Sequence, residues 1–142
     1  MPPKNFESRI TDFTHAIGLL LRRLRAATGA DEISMTEAVV LKRLENDGPA
    51  TTAELARAEG MKPQSMGATV ASLEGMNLVE RKPHPTDGRK LNIELTVKGR
   101  ALRKSIVDAK HNWLITLIAG LNREEQETLF KAGEIIRRLV EK

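Results

Sequence analysis

The sequence predicts a mainly α fold with a small β-hairpin, and three observations carry that prediction. Apolar residues recur at helical spacing through both ends of the chain. In the middle, a two-turn helical segment closes at Gly60 and a longer one opens at Pro63. Beyond Asn77 the apolar period switches from about 3.6 to about 2. The switch spans a loop holding Pro83, Pro85 and Gly88.

The elements follow in order. Phe6, Ile10, Phe13, Ile17, Leu20, Leu21 and Leu24 form one stripe on a helix over Asn5–Thr28, and Gly29 stops it. A second helix opens near Ser34, which makes a capping box with Glu37, while Thr36 competes as the cap. Val40, Leu41 and Leu44 give it an apolar side, and Asn46-Asp47-Gly48-Pro49 ends it. Thr51 and Glu54 box a short helix through Ala58. Lys62-Pro63-Gln64 opens the next, whose buried edge is Met66, Val70, Leu73 and Met76. Asn77 ends it in a left-handed conformation, which Asn tolerates better than most residues. Leu78–Lys82 and Leu91–Leu95 then read as strands joined by the loop Pro83–Lys90. Thr96 caps a long helix with the stripe Leu102, Ile106, Ala109, Trp113, Leu117 and Leu121. Asn122 and Glu125 box the last helix, whose Leu129, Ile135, Ile136 and Leu139 face inward.

The end helices carry more apolar length than the small central unit can cover. They therefore pack on each other or on a second copy, and a homodimer is the preferred reading over a monomeric bundle. The expected organisation is an N-terminal dimerisation helix over residues 1–33, a lobe over 34–100, and C-terminal dimerisation helices over 101–142.

Composition removes several classes of function. The 142 residues contain no Cys, which excludes a disulfide scaffold, a zinc–thiolate site and a thiol nucleophile or redox sensor. His15, His84 and His111 are too scattered to suggest a metal cluster, so no metal and no cofactor is expected. The longest nearly apolar stretch, Trp113–Leu121, is far short of a membrane span of about 20 residues. The N-terminus lacks the apolar core of a secretory signal, so the expectation is a soluble cytoplasmic protein with no membrane partner. An enzyme would need a nucleophile, an acid–base pair or a phosphate loop, and none is recognisable, so no catalytic residue is expected.

The net charge of +4 is unevenly placed. Residues 1–61 carry 8 Lys and Arg against 9 acids, residues 62–104 carry 9 against 4, and residues 105–142 carry 6 against 6. A basic segment between neutral flanks is the footprint of a nucleic-acid surface. Short helix, turn, longer helix and basic-tipped hairpin together describe a winged helix-turn-helix. B-DNA's major groove is about 12 Å wide and admits one helix. Lys62, Gln64, Ser65, Gly67 and Thr69 are small or hydrogen-bonding, as entry of the second helix requires. Gly67 alternatively marks a close approach of two helices. In the loop, Arg89 follows Gly88 near the tip, where it can enter a minor groove, and Asp87 fixes the loop or orients an Arg. RNA binding by stacking is disfavoured because residues 62–104 hold no aromatic side chain.

The stretch from Thr36 to about Arg103 resembles the MarR (multiple antibiotic resistance regulator) family of bacterial transcription factors. The residues that carry the likeness are Leu78-Val79-Glu80-Arg81-Lys82, then Pro85-Thr86-Asp87-Gly88-Arg89-Lys90, then Leu95-Thr96-Val97-Lys98-Gly99. They reproduce the family's Asp-x-Arg wing and the Leu-Thr-x-x-Gly that opens the next helix. Thr51–Ala56, ending Glu-Leu-Ala, adds the first helix-turn-helix segment. Two positions depart from the pattern: Asn77 stands where Gly is usual, and Lys62-Pro63-Gln64 where a Ser or Thr cap is usual.

The resemblance implies a homodimer on a pseudo-palindromic double-stranded DNA operator, acting as a repressor and released by a small aromatic or phenolic effector. It implies Lys62, Gln64, Ser65 and Thr69 as recognition-helix residues. It implies Arg81, Lys82, His84, Asp87, Arg89 and Lys90 as wing residues, with Arg81, Lys82, His84 and Lys90 at phosphates. His15, Met35, His111 and Trp113 border the family's usual pocket. The competing readings are a winged helix used for protein contact and a non-specific architectural DNA binder.

Overall fold

The computed structural model describes residues 5–141, apart from the side chain of Asp31. Nine elements follow in order: α1 (Phe6–Thr28), α2 (Met35–Asp47), β1 (Ala50–Thr51), α3 (Thr52–Ala58), α4 (Pro63–Gly75), β2 (Val79–Pro83), β3 (Leu91–Leu95), α5 (Val97–Ala119) and α6 (Arg123–Val140). A short 3-10 turn, Ala30–Glu32, joins α1 to α2. The fold is a mainly helical winged helix-turn-helix between long terminal helices.

Local signals place most of the boundaries. Gly29 ends α1 in the left-handed region at φ 71°. Ser34 caps α2 through a reciprocal box with Glu37, and Thr36 is not the cap. Thr51 and Glu54 box α3, Thr96 Oγ1 accepts from the Gly99 N–H at the start of α5, and Asn122 boxes α6 with Glu125. Asn77 is the one described non-glycine residue at positive φ, at 60°.

The sheet has three strands rather than the two of the expected hairpin. The added strand, β1, pairs antiparallel with β3, Ala50 opposite Ile93 and Thr51 opposite Asn92. β2 pairs with the other edge of β3, Val79 opposite Leu95 and Pro83 opposite Leu91. Thr51 thus serves twice, as the last strand residue and as the cap of α3.

The core lies within the lobe. Among the described residues, fourteen of the fifteen buried apolar side chains fall between Ala30 and Leu95, including Leu41, Leu55, Met66, Leu73 and Ile93 with essentially no exposure. Ile106 on α5 is the fifteenth, and neither α1 nor α6 buries a residue. The lobe is joined to α5 at a tight corner. Thr96 Oγ1 donates to the Asn77 carbonyl at 2.6 Å, and Lys98 Nζ donates to the Met76 carbonyl at 3.0 Å. A Cβ at Gly99 would land on the backbone oxygen of Leu78, so only glycine fits there.

Candidate nucleic-acid interface

Helix α4 opens at Pro63, whose fixed φ suits the first helical position. Lys62 precedes it in an extended conformation and makes no side-chain cap. Met66, Val70 and Leu73 are buried. At 100° per residue, the opposite face is centred on Gln64, Ala68, Ala71 and Gly75, with Ser65 and Ser72 beside them, and all six are exposed. Thr69 is half-buried and its hydroxyl donates back to the Ser65 carbonyl at 3.2 Å, so its proton is already engaged. No atom lies within 4 Å of a Cβ built on Gly67, so a close helix approach within the chain is not the reason for that glycine.

Two acids hold α4 in place. Glu37, at the start of α2, accepts from the Ser34 N–H at 2.8 Å and from the Ser72 hydroxyl at 2.8 Å. Burial alone would raise its pKa, but these bonds outweigh burial and hold the carboxyl below its ordinary value. Glu74 accepts from Arg81 Nε of β2 at 2.8 Å, tying the helix to the wing.

The wing loop, Pro83–Lys90, is held by its own bonds. His84 Nδ1 accepts from the backbone N–H groups of Thr86 and Asp87, at 3.2 and 3.1 Å. The His84 N–H donates to the Lys90 carbonyl, and the Lys90 N–H to the Asp87 carbonyl, both at 3.0 Å. Asp87 Oδ1 accepts from the Arg89 N–H at 3.1 Å and from Arg89 Nε at 3.3 Å. These two bonds, the backbone one first, hold the Asp87 carboxyl below its ordinary value. The Arg89 side chain nevertheless stands 93% exposed.

The structure thus separates the six expected wing residues. Arg89 and Lys90 present charge outward. Lys82 lies between Glu80 and Glu94, at 3.4 and 3.2 Å, which raises its pKa, the Glu94 bond chiefly. Arg81 is paired with Glu74. His84 and Asp87 build the loop. The basic wing of the sequence is therefore narrower in space, because Glu74, Glu80 and Glu94 converge on its inner cations.

An open groove of about 950 Å³ runs between α3 and the wing. Its wall includes Thr52, Glu54, Arg57, Arg81, Arg89 and Lys90. Arg57 is a functional candidate that sequence reasoning missed. Its signal was available as an exposed cation on the first helix of the helix-turn-helix.

The four residues expected at a ligand pocket are distributed differently. His111 lines an apolar groove of about 350 Å³ with Leu114, Ile118, Gln126 and Phe130, and His15, Met35 and Trp113 are not in its wall. His15 and Met35 are exposed, Met35 at 64%, and Trp113 is half-buried. Of the four, His111 alone lies in the α5–α6 groove. Among the described residues no helix is long and apolar enough to cross a membrane.

Comparison with known proteins agrees with this architecture. The MarR family profile matches residues 33–91. An HTH-type transcriptional regulator of Mycobacterium tuberculosis is 34% identical over 131 residues, covering 92% of each chain. An HTH-type transcriptional repressor of the same species is 32% identical over 84% of this chain and 89% of its own. The solved structure of a Staphylococcus aureus MepR mutant bound to an oligodeoxyribonucleotide has the same fold, with TM-score 0.71, 21% identity, and coverage of 92% of this chain and 97% of its own. The chain belongs to the MarR family of HTH-type transcriptional regulators, a family of regulators and not of enzymes.

Proposed function

We propose that the protein is a sequence-specific double-stranded DNA binder that acts in the cytoplasm as a homodimeric repressor on a pseudo-palindromic operator. The carrying observation is the pairing of an outward polar helix face with an outward cation. Gln64 and Ser65 stand exposed on α4, and Arg89 projects from a loop fixed by His84 and Asp87. Gln64, Ser65 and Thr69 meet the major groove, with Lys62 beside them at the backbone. Arg89 meets the minor groove, where negative potential is strongest in narrow A·T tracts. Lys90, Arg57 and the outer parts of Arg81, Lys82 and His84 lie toward phosphates, and Asp87 orients Arg89.

Residues 1–33 and 101–142 form the dimer. Among the described residues, sixteen of the nineteen large apolar side chains that stand exposed lie on α1, α5 and α6: six, four and six respectively. So much exposed apolar surface is unusual for a monomer, and a second copy covers it. Two lobes on one DNA face place their half-site centres about 10 bp apart. The repressor role is supported by the named role of the mycobacterial relative. An aromatic-acid effector rests on the family resemblance alone, and a thermal-shift screen in which no such acid stabilises the protein removes it.

The test is selection from random duplexes at two salt concentrations. A two-fold symmetric motif with half-sites one turn apart is expected. Salt-sensitive binding without a motif indicates an architectural binder, and no binding at either salt indicates a protein-contact module.

A further inference from the structure

We infer that Gln64 is the specificity-determining residue of α4 and that it reads adenine, so that the base pair it faces in each half-site is A·T. The inference rests on the operator-binding reading above and deepens it.

The argument starts from what α4 offers a base edge. Its outward face is Gln64, Ala68, Ala71, Gly75, Ser65 and Ser72. Guanine is read chiefly by Arg or Lys, bidentate to O6 and N7. Pro63–Gly75 contains neither, and its one charged residue, Glu74, is paired with Arg81. Lys62 lies before the helix, and its ammonium is a compact point charge suited to phosphate. Gln64 alone on this face carries both a donor and an acceptor on one planar group. That is the pattern that matches N6 and N7 of adenine. No hydrogen bond among the described residues engages its amide, whereas the hydroxyls of Ser72 and Thr69 are both committed within the protein.

Its neighbours favour the same partner. Ala68 stands one turn further along the same face and adds only a methyl group, which leaves the Gln64 amide room to approach the groove floor. A methyl group also complements the C5-methyl of thymine. The wing points the same way independently: a single exposed Arg89 on a narrow loop suits the compressed minor groove of A·T-rich DNA. Two readers on different elements, entering different grooves, thus converge on one base composition.

The experiment uses the full chain and the duplex pool described above, followed by binding to the enriched duplex. The wild type is expected to enrich adenine at one position in each half-site. Gln64→Ala, an exposed change whose thermal midpoint should match wild type, is expected to lose that preference and about tenfold in affinity. Replacing that adenine by 7-deazaadenine removes the N7 acceptor. This should weaken the wild type by several-fold and leave Gln64→Ala unchanged. A symmetric motif with no adenine preference at any helix-facing position overturns the inference, as does a Gln64→Ala protein that keeps the adenine preference. A wild type that enriches no motif overturns the operator reading itself, so the two failures are distinguishable.

Discussion

The lobe and the terminal helices solve the burial problem in opposite ways. Between Ala30 and Leu95 the chain closes its own core, with five helices and strands contributing side chains of near-zero exposure. Along α1 and α6 no side chain is buried, and residues such as Leu139 remain 65% exposed. Both regions carry helical apolar stripes, those of α1 and α6 being the longer, so a stripe alone does not tell which face its own chain buries. The difference is what each stripe finds within its own chain. A short helix such as α3 finds α4 and the sheet close by. The long stripes of α1 and α6 outrun every partner that one chain supplies. Stability of the lobe should therefore be a property of the monomer, and stability of the long helices a property of concentration.

The largest expected effect falls in the lobe. Leu41→Ala removes a fully buried side chain and should cost about 2–5 kcal/mol, measured by urea unfolding, at any protein concentration. A midpoint unchanged from wild type would dissolve the contrast between the two regions. The next effect falls on the helices. Ile135→Glu with Leu139→Glu on α6 should yield a monomer by sedimentation and lower operator affinity by about 100-fold, because the second half-site becomes a separate binding event. A dimer surviving both charges would mean that α6 is not the interface. Arg89→Ala should weaken binding by about tenfold and reduce the salt slope by about one, with thermal stability unchanged. An unaltered slope would take the wing out of the interface.

The smallest effect is that of pH on the loop. The carboxyl of Asp87 titrates below its ordinary 3.8, held there first by the Arg89 N–H. A depressed carboxylate pKa gives a contribution that is complete above the unfolded value and is lost as pH falls through the folded one. The amide resonance of Arg89 should therefore hold steady from pH 7 to about 4 and move only below that. Movement near pH 5 would show that the carboxylate bond is not what fixes the loop.

What was legible in the sequence was local. Ser34, Thr51, Thr96 and Asn122 announce their caps because a capping side chain and its N–H partner are three residues apart. Asn77 announces its left-handed turn for the same reason of proximity. The unread parts depend on distant partners. β1 is two residues long and exists only because Ile93 and Asn92 lie opposite. The pairing of Arg81 with Glu74 and of Lys82 with Glu94 narrows the basic run, and only the fold brings those acids near. The ring of His84 also organises the loop, a role the residue type alone does not announce. A side-chain acceptor two and three residues before free N–H groups was the missed hint. A ligand pocket is not legible for a further reason, since side chains on three separate helices share a cavity only if the helices pack to enclose one.

The corner at Gly99 has a mechanical consequence. With the Leu78 carbonyl seated where a Cβ would be, and with Thr96 and Lys98 clasping Asn77 and Met76, the junction between the lobe and α5 is braced. The 23-residue helix is a rigid lever about 35 Å long. A change of about 10° in its tilt would swing its far end by about 6 Å, nearly two base-pair steps along B-DNA at about 3.4 Å each. In the proposed dimer the gap between two such heads would be set by the angle at which the two levers cross, so a small adjustment far from the DNA would change the spacing by about the rise of two base pairs.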